Sequence, residues 1–84
     1  MTYNVTLKQK VIKTLQGLNE PYYTQIKDAI YRLSDNPRPH GYTKLVGRKG
    51  YRIRVGDFRI IYLVYDDHLV VQVIDLGHRQ EIYG

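Results

Sequence analysis

The feature that most constrains this chain is the alternation in residues 50–62, "GYRIRVGDFRIIY". Tyr51, Ile53 and Val55, then Phe58, Ile60 and Tyr62, recur with period two on either side of Gly56-Asp57. That period belongs to a half-buried strand, and a two-residue loop with glycine first suits a type II′ hairpin turn. The loop predicts the register: Val55 opposite Phe58, Arg54 opposite Arg59, Ile53 opposite Ile60 and Arg52 opposite Ile61. Opposed residues share a face, so Tyr51, Ile53, Val55, Phe58, Ile60, Tyr62 and Val64 form an apolar surface for a core. Arg52, Arg54 and Arg59 gather on the other face, and a one-residue slip in the turn would send Arg59 back through the sheet.

Grouping the arginines has a cost, because like charges directly opposed across a ladder repel. In this register no acid lies beside them, and Asp57 sits in the turn. Guanidinium groups collected in this way suit phosphate, which they grip bidentately. Farther along, pairing across Asp66-Asp67 puts Ile61, Leu63, Tyr65, Val70, Gln72 and Ile74 on the arginine face, mostly apolar. Such a strip reads either as a protein-binding surface or as a patch covered by the tail. The nine residues after Asp75 are few for complete cover, so protein binding is expected at Ile61, Leu63, Val70 and Ile74.

The remainder supplies the other layer. Residues 3–7 read as a first strand; Leu7, Val11, Leu15 and Leu18 then make one helical stripe, with Thr6 as N-cap. Asn19-Glu20-Pro21 restarts a helix with Asn19 as cap, and Tyr22, Ile26, Ile30 and Leu33 are its stripe until "SDNPRP" ends it. A short extended piece at 42–46 and strands at 51–55, 58–65 and 69–75 follow, with "LGHRQEIYG" as a tail. The expected fold is α+β: a single domain over residues 1–84 with a compact β-α-α-β-β-β order. Its helical hairpin packs on one face of a mostly antiparallel sheet.

Charge narrows the function. The chain carries +5, and between Arg38 and Arg59 seven basic residues face one acid, Asp57. Clustering of this kind points to a polyanion, with Lys44, Arg48, Lys49, Arg52 and Arg54 as candidate RNA and phosphate ligands; the alternative is a solvated basic surface. The chain has no cysteine, which excludes disulfides and thiolate metal sites. No H-x-x-x-H, P-loop, dinucleotide fingerprint or G-x-S-x-G occurs, and neither metal nor cofactor is expected. The N-terminal "MTYNVTLKQK" lacks a signal-peptide core and no apolar run is long enough to span a bilayer. The expectation is a cytoplasmic protein with no membrane partner. His40 and His68 read as surface loop residues, whereas His78 reads equally as an acid–base group and as a histidine bonded to the backbone. Arginines, a histidine and tyrosines can cleave RNA without a metal, because the 2′-hydroxyl is an internal nucleophile.

"KLVGRKGYRIRVGDFRIIYLVYDDHLVVQVIDLGHRQEIY", residues 44–83, resembles the RelE-type toxins of the RelE/ParE toxin–antitoxin superfamily. "GYRIRVGDFRIIY" and "GHRQEIY" carry most of the resemblance, supported by "LSDNPRPHGYTKL" upstream. It implies an endoribonuclease that enters the ribosomal A site and cuts mRNA there. It also implies neutralisation by a RelB-like antitoxin in a heterodimer or 2:2 complex that reaches operator DNA only through the antitoxin. By the resemblance, Arg52 and Arg54 hold phosphate, Arg59 stabilises the transition state, Arg79 is the tail's basic residue, and Tyr83 stacks on or orients a base. Some RelE toxins carry lysines where this chain has Arg52 and Arg54. Arginine is a poor general base, so proton transfer is expected at His78 or Tyr83. Two alternatives are a ParE-like inhibitor of DNA gyrase and a non-catalytic RNA- or protein-binding homologue.

Overall fold

The computed structural model describes residues 2–78. Strand β1 (Asn4–Leu7) leads into helices α1 (Gln9–Gln16) and α2 (Tyr22–Arg32). Strands β2 (Thr43–Lys44), β3 (Tyr51–Val55), β4 (Phe58–Tyr65) and β5 (Val70–His78) follow. They form one five-stranded sheet in the order β1-β5-β4-β3-β2, antiparallel except where β1 runs parallel to β5. The architecture is the expected α+β one, two helices on one face of a mixed sheet.

The apolar periods meet in one core. Val11 and Leu15 of α1 and Ile26 and Ile30 of α2, with Leu33, pack on Ile53, Ile60, Tyr62, Val71, Val73 and Leu76 of the sheet. Both helices start later than their sequence patterns imply. Thr6 pairs with Gln72 in the β1–β5 ladder, and Lys8 takes the cap position while donating its N–H to Val73 O. Leu7 satisfies a period of two as well as one of four, and the parallel ladder wins. In α2 the cap position falls on Pro21, not Asn19. The Glu20 carboxylate instead accepts from the Thr24 amide at 3.1 Å and the Thr24 hydroxyl at 2.7 Å.

The β3–β4 register is the expected one, from Val55–Phe58 to Tyr51–Tyr62. Gly56 has a φ of 57° and Asp57 is not among the residues of positive φ, as a type II′ turn requires. The β4–β5 pairing differs from expectation in two ways. The turn spans four residues, with Tyr65 opposite Val70 and Leu69 at a φ of 54°. A register shift at Ile61/Tyr62 then sets Tyr62 opposite Val73 but Ile61 opposite Asp75, leaving Ile74 as the extra residue of a bulge. The strand does not stop at Asp75; it continues to His78, because the shifted register turns Leu76 into the core beside Ile60.

Tyr62 is 0% exposed, and its hydroxyl donates to Pro37 O at 2.7 Å. Burial pushes that hydroxyl's pKa up to about 12, so it stays a donor throughout the neutral range. The bond ties the segment after α2 to the sheet. Tyr62→Phe leaves a buried carbonyl without its donor and is expected to cost about 1–2 kcal/mol, read from urea unfolding midpoints.

Candidate nucleic-acid interface

The hairpin turn and its register place Arg52, Arg54 and Arg59 on the sheet face away from the helices. They are not equivalent there. Arg54 is exposed, Arg52 half-buried and Arg59 only 3% exposed. Gly77, which has no side chain, stands opposite Arg59 in the β4–β5 ladder. The three arginines thus share a face but differ in depth, with the buried Arg59 directly opposite the exposed Arg54.

Around Arg52 the surface is concave. A depression of about 400 Å³ is lined by Thr43, Lys44, Leu45, Val46, Arg48, Arg52 and Ile61. Lys49 is exposed on the same loop without lining it. Gly50 makes this shape possible. Its φ is 125°, and a Cβ there would meet Leu45 Cδ1 at 3.2 Å, Tyr62 O at 3.2 Å and Leu63 Cδ2 at 3.4 Å. The loop can therefore fold Leu45 onto the sheet only with glycine at this position. Arg54 faces a different depression, shared with Arg32, His40 and Asp28.

The apolar strip is less open than expected. Ile61 is 2% exposed, and Leu63, Val70 and Ile74 are half-buried. Ile61 forms part of the floor beneath the 45–48 loop. The bulge also changes the strip's chemistry, since Asp75 stands opposite Ile61 where unshifted pairing would have put Ile74. A carboxylate therefore does share the arginine face. Its Oδ1 accepts from the Leu76 amide at 3.0 Å, and Lys10 of α1 lies 3.4 Å from its Oδ2.

His78 requires the clearest correction. It stands opposite Phe58, and their rings meet edge-on with centroids 5.5 Å apart. Phe58 also meets Tyr22 of α2 at 5.5 Å, so this aromatic row lies on the helix side of the sheet. Alternation thus puts His78 across the sheet from the arginines it was expected to assist. Arg79 and Tyr83 fall outside the described residues.

One cluster escaped the sequence reading altogether. Arg38, counted there with the basic patch, grips Asp66 with both terminal nitrogens at 3.3 and 2.9 Å and donates to the Tyr51 hydroxyl at 3.3 Å. Its guanidinium lies 5.2 Å from the Tyr51 ring centroid, and Tyr3 donates to Asp66 at 2.7 Å. These bonds hold the Asp66 carboxyl below its ordinary value, the Arg38 bond first and the Tyr3 bond second. Arg38 is a structural clamp between the loop after α2, β3, the β4–β5 turn and Tyr3 just before β1. The signal was present in the turn acids, but nothing local linked positions 3, 38 and 66. Among the described residues no group of three or more His, Asp or Glu could hold a metal, and no helix is long and apolar enough to cross a membrane.

A family model described as the ParE toxin of the type II toxin–antitoxin system parDE matches residues 5–83. The chain belongs to the RelE/ParE family of type II toxins. Its relatives include a Methanocaldococcus jannaschii protein named as a candidate toxin, RelE1, 30% identical over 99% of this chain and 97% of its own length. The toxin's fold matches the archaeal RelE–RelB complex of Pyrococcus horikoshii with a TM-score of 0.85, at 32% identity, covering 96% of this chain and 99% of that one. It also matches the intact Escherichia coli RelBE toxin–antitoxin complex at a TM-score of 0.78 and 26% identity, over 90% and 95% of the two chains.

The clamp has a pH signature in this toxin. A depressed carboxyl stabilises the fold in full above its unfolded value, about pH 4, and that contribution is lost as the pH falls through the lower folded value. Asp66→Asn is expected to be less stable than wild type at neutral pH and to converge with it as the pH falls below the ordinary carboxyl range, read from urea midpoints at each pH.

Proposed function

We propose that this toxin is a ribosome-dependent, metal-independent endoribonuclease that cuts mRNA in the A site. The observation that carries the reading is the sheet face where the exposed Arg54 stands directly opposite the buried Arg59, with Arg52 two positions along the same strand. A cationic face of graded depth fits a phosphate that gains charge during reaction. The two accessible arginines bind the backbone, and Arg59, desolvated and fixed, stabilises the phosphorane where its charge counts most. In the step, the 2′-oxygen bonds to phosphorus while the bond to the 5′-oxygen breaks. One proton leaves the 2′-hydroxyl and one reaches the departing oxygen. Arginine holds its proton too tightly to supply the exchange. We assign delivery of the proton to the departing oxygen to the Tyr83 phenol, the 2′-hydroxyl proton passing to water, with Arg79 as a further charge on the phosphate; both residue roles rest on the family resemblance. Lys44, Arg48 and Lys49 extend the backbone contacts.

The natural partner is a RelB-like antitoxin, because RelE relatives are found in complex with RelB. It contacts the half-buried strip at Leu63, Val70 and Ile74, brings the pair to operator DNA, and works in the cytoplasm. Ile61 offers it too little surface to count as a contact.

Single-turnover cleavage on programmed ribosomes, mapped by primer extension, tests the mechanism. Arg54→Ala and Tyr83→Phe are each expected to slow cleavage about 10²-fold, while His78→Ala leaves the rate within a small factor of wild type. The family model carries the ParE name, which favours gyrase inhibition as the second reading. Loss of supercoiling activity with mRNA left intact would establish that reading and refute the nuclease.

A further inference from the structure

We propose that the depression between α2 and the open edge of β3 is a phosphodiester site, with Arg32 as its anchor. It carries a single RNA strand from the arginine face, where Arg54 stands, around the sheet edge and onto α2. The inference rests on the nuclease reading, because it extends the same RNA path, but it concerns binding by the toxin alone.

Topology leaves this edge free. Strand β2 pairs with β3 only at Tyr51 and Arg52, so among the described residues no strand lies outside β3 at residues 53–55. The gap is bordered by α2 on one side and the 39–41 loop on the other. It holds about 680 Å³, within the roughly 300–1,000 Å³ typical of ligand sites. Gln25, Asp28 and Arg32 recur at helical spacing on one face of α2 and line it together. Arg54 lines it from β3 and His40 from the loop. That loop is tied down at its start, where Tyr62 donates to Pro37 O at 2.7 Å and Arg38 grips Asp66 at 2.9 Å. The site is therefore formed before a ligand arrives.

Its chemistry selects the ligand. Arg32 and Arg54 are both exposed, and neither guanidinium is engaged in a hydrogen bond or ion pair among the described residues. Asp28 is exposed on the same wall with no ion pair to either arginine, so it does not neutralise them. Two unengaged guanidiniums suit phosphate oxygens, which they grip bidentately, and His40 adds a ring N–H. The Asp28 carboxylate favours an RNA strand over an acidic peptide. Ribose hydroxyls donate to a carboxylate, whereas acidic side chains repel it. Arg54 belongs to both surfaces, since it stands opposite Arg59 in the ladder and also lines the depression. From β4 outward the order is Arg59, Arg54 and then, past the edge, Arg32. A strand with its reacting phosphate at Arg59 follows that order.

The test is fluorescence anisotropy of fluorescein-labelled hexauridylate titrated with the purified toxin at several salt concentrations, with labelled hexaglutamate in parallel. Wild type is expected to bind the RNA saturably and at least about tenfold more tightly than the peptide. Arg32→Ala should weaken RNA binding about tenfold. It should also flatten the slope of log affinity against log salt by about 0.7, the value of one phosphate contact on a single strand. Arg32→Lys keeps a charge at that point and should restore the slope. Lys13→Ala, on exposed α1 surface outside the depression, should leave the affinity within about twofold, which separates a local grip from net charge. An Arg32→Ala effect no larger than that of Lys13→Ala, an unchanged slope, equal binding of hexaglutamate, or no saturable binding overturns the proposal. Ribosome assays run alongside keep the two claims apart. Cleavage of mRNA with RNA binding indifferent to Arg32 removes the edge path alone. Arg32-dependent binding without cleavage removes the nuclease alone.

Discussion

The open face of this toxin depends on the register of the β3–β4 hairpin. Gly56, at a φ of 57°, closes the turn in two residues and fixes Val55 opposite Phe58. From that pair every other assignment follows by alternation: apolar residues to the helices, arginines to the far side. The same constraint sets Arg54 directly against Arg59, a repulsive arrangement that a stable fold alone would avoid. The hairpin tolerates it because the core face of the same two strands is well packed, with Ile53, Ile60 and Tyr62 all buried.

A second constraint, the shift at Ile61/Tyr62, decides what joins the arginines. With unshifted pairing Ile74 would face outward and Asp75 would point toward the core, where a carboxylate has no business without partners. The bulge avoids that burial. It turns Asp75 outward to Lys10, puts Leu76 into the core, and leaves Gly77 against Arg59. The same step carries His78 to the helix side, against Phe58. Acid, glycine and histidine are thus placed by one irregularity, and the cost of the extra residue is offset by the core contacts of Leu76.

This explains which parts of the structure were legible in the sequence. The hairpin was, because period two and a Gly-Asp turn are local signals that agree. The helices were, apart from their first residues, where Leu7 served two periods at once and Glu20 displaced Asn19 in the capping role. The bulge was not, since nothing in "VVQVIDLGH" marks the extra residue except the need to keep Asp75 out and Leu76 in. The Arg38–Asp66–Tyr3 clamp joins three segments far apart in sequence and is a product of the assembled fold. Gly50 did carry a readable signal: a glycine between a basic loop and a strand often marks a close approach, here of Leu45 to the sheet.

The face that results is poorly suited to a protein standing alone. It gathers Arg52, Arg54 and Arg59 on one surface beside half-buried Leu63, Val70 and Ile74. Concentrated like charge raises the free energy of the folded state, and adjacent apolar area leaves burial unused. Both defects are relieved by a ligand that is anionic and partly apolar. RNA meets that description through phosphate and base; an acidic amphipathic antitoxin segment meets it through carboxylates and aliphatic side chains. Either one binds the folded chain and so stabilises it by mass action. On the proposed function both ligands answer the same physical need on overlapping ground, and inhibition would then require no switch within the toxin: occupancy by one would exclude the other. On that reading, the arrangement that suits the face to RNA is also what would make it capturable by a protein.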